Sequence, residues 1–212
     1  MGRFTDHVCK QCRREGEKLF LKGAKCHTAK CPFTRRSYAP GQHGKPVRVV
    51  KVSEFALRLR EKQKAKRIFG LTERQFRFYF QRASQIKGVT GQKFLELLER
   101  RLDNVVYRMG LARSRKEGRT FVSHGHFMVG ADSDHRAINV PSYQVRPGEV
   151  VRVREGSHEI FRKIVEELEE RPCPSWLQLE PKILEGRVLA VPAREEMEGT
   201  IDEQLIVEFY SR

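Results

Sequence analysis

Four cysteines crowd into the first 31 residues as Cys9-x2-Cys12-x13-Cys26-x4-Cys31, two close pairs with a loop between them. Met1 to His7 carry a charge but no apolar core of a leader peptide, so the chain is expected to stay in the cytosol, where thiols remain reduced and a disulfide framework is disfavoured. A tetrahedral ion needs four soft ligands from short turns, and gaps of two and four residues let both sulfurs of a pair point the same way. Lys10, Arg13, Arg14, Lys25 and Lys30 raise the local potential and favour thiolate over thiol. With no coordination position left open, the site would be structural, fastening a stretch too short and polar to fold by itself. Zinc is the expected ion, with an iron–sulfur cluster the less favoured occupant of the same thiolates and a metal-free arm also open. His7 and His27 read as polar neighbours, and Cys173, between Pro172 and Pro174, has no assigned chemistry.

The second chemical signal is charge. Of the 212 residues, 42 are Lys or Arg and 27 Asp or Glu, giving a formal +15, and the excess sits at the front: +17 over residues 1–100 against −5 over 151–212. A polyanion neutralised by so many cations releases condensed counterions, which makes nucleic acid the leading partner and anionic lipid a distant second. The apolar runs are a few residues long, far short of a membrane span.

Residues 32–52, punctuated by Pro32, Pro40, Gly41, Gly44 and Pro46, read as an extended basic linker. Ser53 caps a helix ending at Gly70, Thr72-x-x-Gln75 is a capping box for a second that stops by Gly88, and Thr90 opens a third that runs to Gly110. Ser114-x-x-Glu117 is another capping box, predicting a basic helix over 115–124 with Arg115 and Arg119 on one face. The period then becomes two: Phe127 and Val129, Ile138 and Val140, and Val151 and Val153 predict short antiparallel strands. Ile160 to Leu168 returns to helical spacing, 176–179 and 187–191 read as strands, and 201–210 is assigned to a helix. These elements give an α+β chain divided as a four-cysteine metal-binding arm and basic linker (1–52), a helical domain (53–89 plus 193–212), and an α+β domain (90–192).

Leu98 to Gly110, followed by Ala112-Arg113-Ser114-Arg115 and Val122-Ser123-His124-Gly125-His126, resembles the RNA-binding module named after bacterial small-subunit ribosomal protein four, here spanning about 99–155. Pro40-Gly41-Gln42-His43-Gly44, Leu59 to Lys64, Glu73-Arg74-Gln75-Phe76 and the tail Glu203 to Arg212 extend the resemblance to that ribosomal protein family over nearly the whole chain. The resemblance implies a zinc-bearing N-terminal arm, a helical domain, and an inserted domain of short antiparallel strands packed with helices. It implies a non-enzymatic, cytoplasmic component of the small ribosomal subunit that binds ribosomal RNA directly and nucleates assembly of the 5′ domain. Ribosomal protein five is the implied partner, and messenger RNA is met at the channel by which it enters, shared with ribosomal protein three; neither a membrane nor a homo-oligomer is expected.

The chain departs from that family at Val129 to Arg136, a longer loop without the usual Asn-Gly, and at Gly118 and Thr120 in the basic helix, where Ala and Gln are more usual. Asp132 and Asp134 would repel RNA, so this loop is expected to point away from it or to meet a protein. Phosphate contacts are expected from Arg3, Arg13, Arg14, Arg35 and Arg36 in the arm, Arg58, Lys62 and Arg67 in the helical domain, and Arg113, Arg115 and Arg119 in the module, each positioning the protein electrostatically. Phe76, Phe78, Tyr79 and Phe80 could stack on bases, but helical spacing assigns at least two of them to the core. The rival reading is a zinc-containing nucleic-acid-binding regulator outside the ribosome, although no recognition helix follows the cysteines at the required spacing. His124-Gly125-His126 has the residue types of a metal pair, yet neighbours on a glycine-broken turn rarely converge.

Overall fold

Two close cysteine pairs demand short turns, and the arm contains them: α1 (Cys9–Glu15), a 3-10 turn at Gly23–Cys26, and α2 (Pro32–Arg35) with proline in its first turn. The expected extended linker is therefore helical at its start. The structure, a computed structural model, describes residues 4, 6–44, 51–131, 134–167 and 172–211. It divides into two units, Met1–Phe94 with Gly199–Arg212, and Leu95–Glu198.

In the first unit, Ser53 accepts the Ala56 amide and opens α3 (Glu54–Ile68). The Thr72 and Gln75 side chains form the complete capping box that opens α4 (Glu73–Ser84). The apolar stripe of α4 lays Phe76, Tyr79 and Ala83 into a core with Ala65, Ile68, Phe94, Ile201 and Ile206. Phe76 meets Phe94 edge-on at 4.9 Å. The terminal segment is the helix assigned from sequence, α9 (Glu203–Tyr210), capped by Asp202 and packed on α3. It comes so close to Gly91 that a Cβ there would lie 2.7 Å from Glu203 Cγ.

The expected single helix from Thr90 to Gly110 is broken. Helix α5 (Thr90–Glu99) stops, Arg101 is extended (φ −67°, ψ 135°), and α6 (Leu102–Arg108) begins. The break serves a distant segment: Arg101 bridges Gln144, the Leu102 and Asp103 amides donate to the Tyr143 and Pro141 carbonyls, and Val145 donates to Arg100. Helix continuation would have occupied those amides. Ser114 then caps α7 (Arg115–Ser123).

Five antiparallel strands follow around α8 (His158–Glu167): β1 (Phe127–Ala131), β2 (Asp134–Ala137), β3 (Val150–Val153), β4 (Leu177–Glu180) and β5 (Glu185–Val188), ordered β2-β1-β3-β5-β4. The strand expected at Ile138–Val140 lies instead at Asp134–Ala137, where Arg136 pairs with Val129. Phe127, Val129, Val151 and Val153 share one face and bury against Leu102, Val106, Val122, Phe161 and Trp176. Asp132 and Leu168 lie outside the described residues. Gly118 has a spatial reason: a Cβ there would lie 2.8 Å from the Asp103 carbonyl oxygen, so α6 and α7 pack backbone to backbone. Among the described residues no helix is long and apolar enough to cross a membrane.

Candidate nucleic-acid interface

The arm is drawn in around its cysteines. Cys9, Cys12, Cys26 and Cys31 line one small cavity with Leu21, Pro32 and Phe33, and the last three of the four are buried. Backbone amides point at the sulfurs: Leu19 donates to Cys12, Lys22 to Cys26 at 3.3 Å, and Phe33 and Thr34 to Cys31. Burial pushes the Cys12 and Cys26 thiols up, and the neighbouring sulfurs push further. Cys31 is also burdened by burial, yet its two amide donors hold it below the usual thiol range. Phe20, at φ 49°, adopts a left-handed conformation unusual for a bulky residue and stacks on His27 at 4.9 Å, so the loop between the pairs is held under strain. Converging thiols with N–H donors to sulfur suit a thiophilic ion, although among the described residues no three His, Cys, Asp or Glu side chains are gathered closely enough to share one.

Arg13 is turned inward. It donates to the Tyr38 and Ala39 carbonyls at 2.9 and 3.3 Å and lies over the Tyr38 ring, tying α1 to the linker. Glu15 docks α1 on α3, where one carboxylate oxygen takes both Arg60 and Arg67 while the other is buried without a partner among the described residues. Burial, and then the nearby Arg14, hold the Arg60 and Arg67 guanidinium groups below their ordinary pKa. Arg14, Arg35 and Arg36 are exposed, as are Lys22, Lys25 and Lys30. Arg3 lies outside the described residues.

On α3 the expected contact residues have partners inside the chain. Arg58 donates to Glu208 at 2.6 Å and to Glu54 at 3.1 Å. Lys62 is only 5% exposed, bonded to Glu73 at 2.7 Å and seated over the Phe209 ring. Lys66 takes the other Glu73 oxygen, and Lys64 pairs with Glu17 and Glu61.

The basic helix of the second unit is similarly engaged. Arg115 donates to Asn104 at 2.7 Å and Glu198 at 2.6 Å and covers the Tyr107 ring. Arg119, 8% exposed, faces Asp103, which also holds the buried Arg101. Arg113 clamps Glu117 and Glu167. Beneath them Glu99 accepts from Asn104 at 2.6 Å, twice from Arg108, and from the Glu198 amide. Burial opposes the Arg108 charge, but Glu99 and Glu198 together carry its pKa above the ordinary guanidinium value. His126 joins Ser157 at 2.8 Å and packs edge-on to Phe121 and Phe161, so the His124-Gly125-His126 turn closes the end of α7.

Sequence reasoning missed the outer face of α4. Arg74, Arg77 and Arg82 are exposed there with no carboxylate partner among the described residues, and Phe78 is 58% exposed between them. The signal was available, since a helical projection of 73–84 separates these four from Phe76, Tyr79 and Ala83.

Comparison with known proteins finds two family matches along the chain. Residues 3–99 match the family described as the ribosomal protein S4/S9 N-terminal domain, and residues 100–151 match the S4 domain. The chain is 52% identical over 214 residues to the small ribosomal subunit protein uS4 of Pelotomaculum thermopropionicum, covering both chains completely. It is also 54% identical to the uS4A protein of Symbiobacterium thermophilum and 51% identical to the uS4 protein of Dictyoglomus thermophilum, again over the full length of each. With residues 3–151 matched by the two family models and relatives this similar from end to end, the chain belongs to the uS4 family of small ribosomal subunit proteins.

Proposed function

We propose that the chain is a structural component of the small ribosomal subunit that binds ribosomal RNA directly, holding phosphates in place. The observation that carries the reading is how its cations are divided. The cations of α3, Arg108 of α6 and the arginines of α7 are matched by carboxylates of the same chain, whereas the arm's Arg14, Arg35, Arg36, Lys22, Lys25 and Lys30 face solvent. Exposed cations on a pinned arm release counterions from a polyanion, while RNA shape supplies selectivity.

Arg3 extends the same arm. Arg58, Lys62, Arg67, Arg113, Arg115 and Arg119 serve RNA through the surfaces they brace. Zinc held by Cys9, Cys12, Cys26 and Cys31 would supply a fixed cross-link between the two ends of the arm, with no catalytic part. The family resemblance further supports nucleation of the 5′ domain, contact with ribosomal protein five, and a place beside the channel that admits messenger RNA, near ribosomal protein three.

Filter binding of the purified chain to a 5′-domain transcript and to duplex DNA, over a range of salt, tests the reading. RNA is expected to bind far more tightly at matched salt. Equal affinity for the two would favour a zinc-containing regulator acting outside the ribosome.

A further inference from the structure

Helix α4 has two faces of different chemistry. At 3.6 residues per turn, Arg77, Gln81, Arg74, Phe78 and Arg82 fall within an arc of about 140°, and all five are exposed. Phe76, Tyr79 and Ala83 occupy the opposite arc and are buried. The helix's one carboxylate, Glu73, is occupied by Lys62, Lys66 and the Tyr210 hydroxyl, so nothing acidic on α4 competes for the three arginines. Among the described residues Arg74, Arg77 and Arg82 have no hydrogen-bond or ion-pair partner, in contrast to the arginines of α3 and α7.

An exposed phenylalanine amid unpaired cations needs its own explanation. Tyr79 meets the Phe78 ring edge-on at 6.0 Å, which holds it upright on the surface without covering it. Solubility favours a polar residue at such a position, and the core of this unit already contains Phe76 and Tyr79. Arginines spaced to follow a phosphate backbone, with an aromatic ring between them, match the chemistry of an RNA strand whose base has left its helix. The cations hold the backbone and the ring stacks on the base.

We propose that the outer face of α4 is a distinct RNA-binding surface, in which Arg74, Arg77 and Arg82 grip phosphates and Phe78 stacks on an unpaired base. This rests on the ribosomal-RNA reading above and adds to it a contact that requires an unpaired nucleotide, which a shape-only interface does not.

The test uses the full-length chain and a 5′-domain ribosomal RNA transcript, with a perfectly paired RNA duplex as control. All substitutions lie on an exposed helix face, and circular dichroism confirms that each variant is folded. Phe78→Ala is expected to weaken transcript binding about 5- to 150-fold, with the salt slope unchanged and duplex binding unaffected. Phe78→Trp is expected to restore affinity and add a fluorescence signal that the transcript quenches. The triple variant Arg74→Gln, Arg77→Gln, Arg82→Gln is expected to flatten the salt slope by about two to three units. Unaltered affinity in Phe78→Ala together with an unquenched Trp overturns the stacking role. Unaltered RNA binding by both the Ala and the triple variants, with failure to join reconstituted particles, also overturns the proposal, because α4 then meets a protein. If the unsubstituted chain does not bind the transcript, it is the underlying ribosomal-RNA reading that fails.

Discussion

Replacing Glu99 by Gln is a stringent test of the view that the second unit's arginines are structural. Glu99 is 1% exposed, and its side chain accepts from Asn104, from both Nε and Nη2 of Arg108, and from the Glu198 amide. The amide is almost isosteric, so packing is retained while the charge is lost and an NH2 group is turned toward other donors. Breaking a buried ion pair costs about 3–5 kcal/mol. The lower end applies because Arg108 is 20% exposed and keeps Glu198 at 3.9 Å. For a unit of this size a loss of about 3 kcal/mol moves the urea midpoint down by about 1–3 M. Trp176, the chain's one tryptophan, is buried in the core of this same unit, so its fluorescence reports the unit's own unfolding. A midpoint shift below about 0.3 M with unchanged cooperativity would refute the argument that Glu99 organises these arginines.

Arg115→Ala should lower the stability of the second unit in the same fluorescence assay while leaving the salt slope of RNA binding within experimental error, because its guanidinium is spent on Glu198, Asn104 and Tyr107; a slope flattened by a full unit would return it to the phosphate contacts. Gly118→Ala should destabilise by about 1–3 kcal/mol in urea melts, since overpacking against the Asp103 carbonyl outweighs the helix propensity of about 1 kcal/mol that Ala gains. Burial opposes the Glu73 charge, but Lys62 and Lys66 hold its pKa below 4.5, so the folded state binds fewer protons than the unfolded one; the stability this provides is complete above about pH 4.5 and is lost as pH falls below it. Glu73→Gln should flatten that acid limb in circular-dichroism melts, and an unchanged limb would assign it to other carboxylates. With zinc bound, only Cys173 of the five cysteines should react readily with a thiol reagent, and chelation should release the other four; a chain whose arm thiols react equally with and without chelator holds no ion there.

Local chemistry was legible in the sequence and distant pairing was not. The capping boxes at Thr72 and Ser114 act within four residues, and both helices start where those residues place them. The α+β alternation and the terminal helix are likewise patterns of one side chain and its neighbours. The break at Arg101 depends on strand-like pairing with residues 141–145, which no periodicity in 90–110 reveals. The same limit governs charge: counting cations cannot show that Arg115 ends on Glu198 or Lys64 on Glu17. Sequence counting therefore could not separate cations with partners inside the chain from Arg74, Arg77 and Arg82, whose helix carries a single acidic residue.

The bond between Arg58 and Glu208 joins residues 150 positions apart. At a synthesis rate of about 5–20 residues per second, Arg58 is made roughly 7–30 s before Glu208. Throughout that interval Arg58 has only its exposed neighbour Glu54 as counter-charge, and its second carboxylate comes with the last helix. Arrival of the last helix thus fastens the end of the sequence to a helix made long before it, a tie that no shorter length of this chain can form.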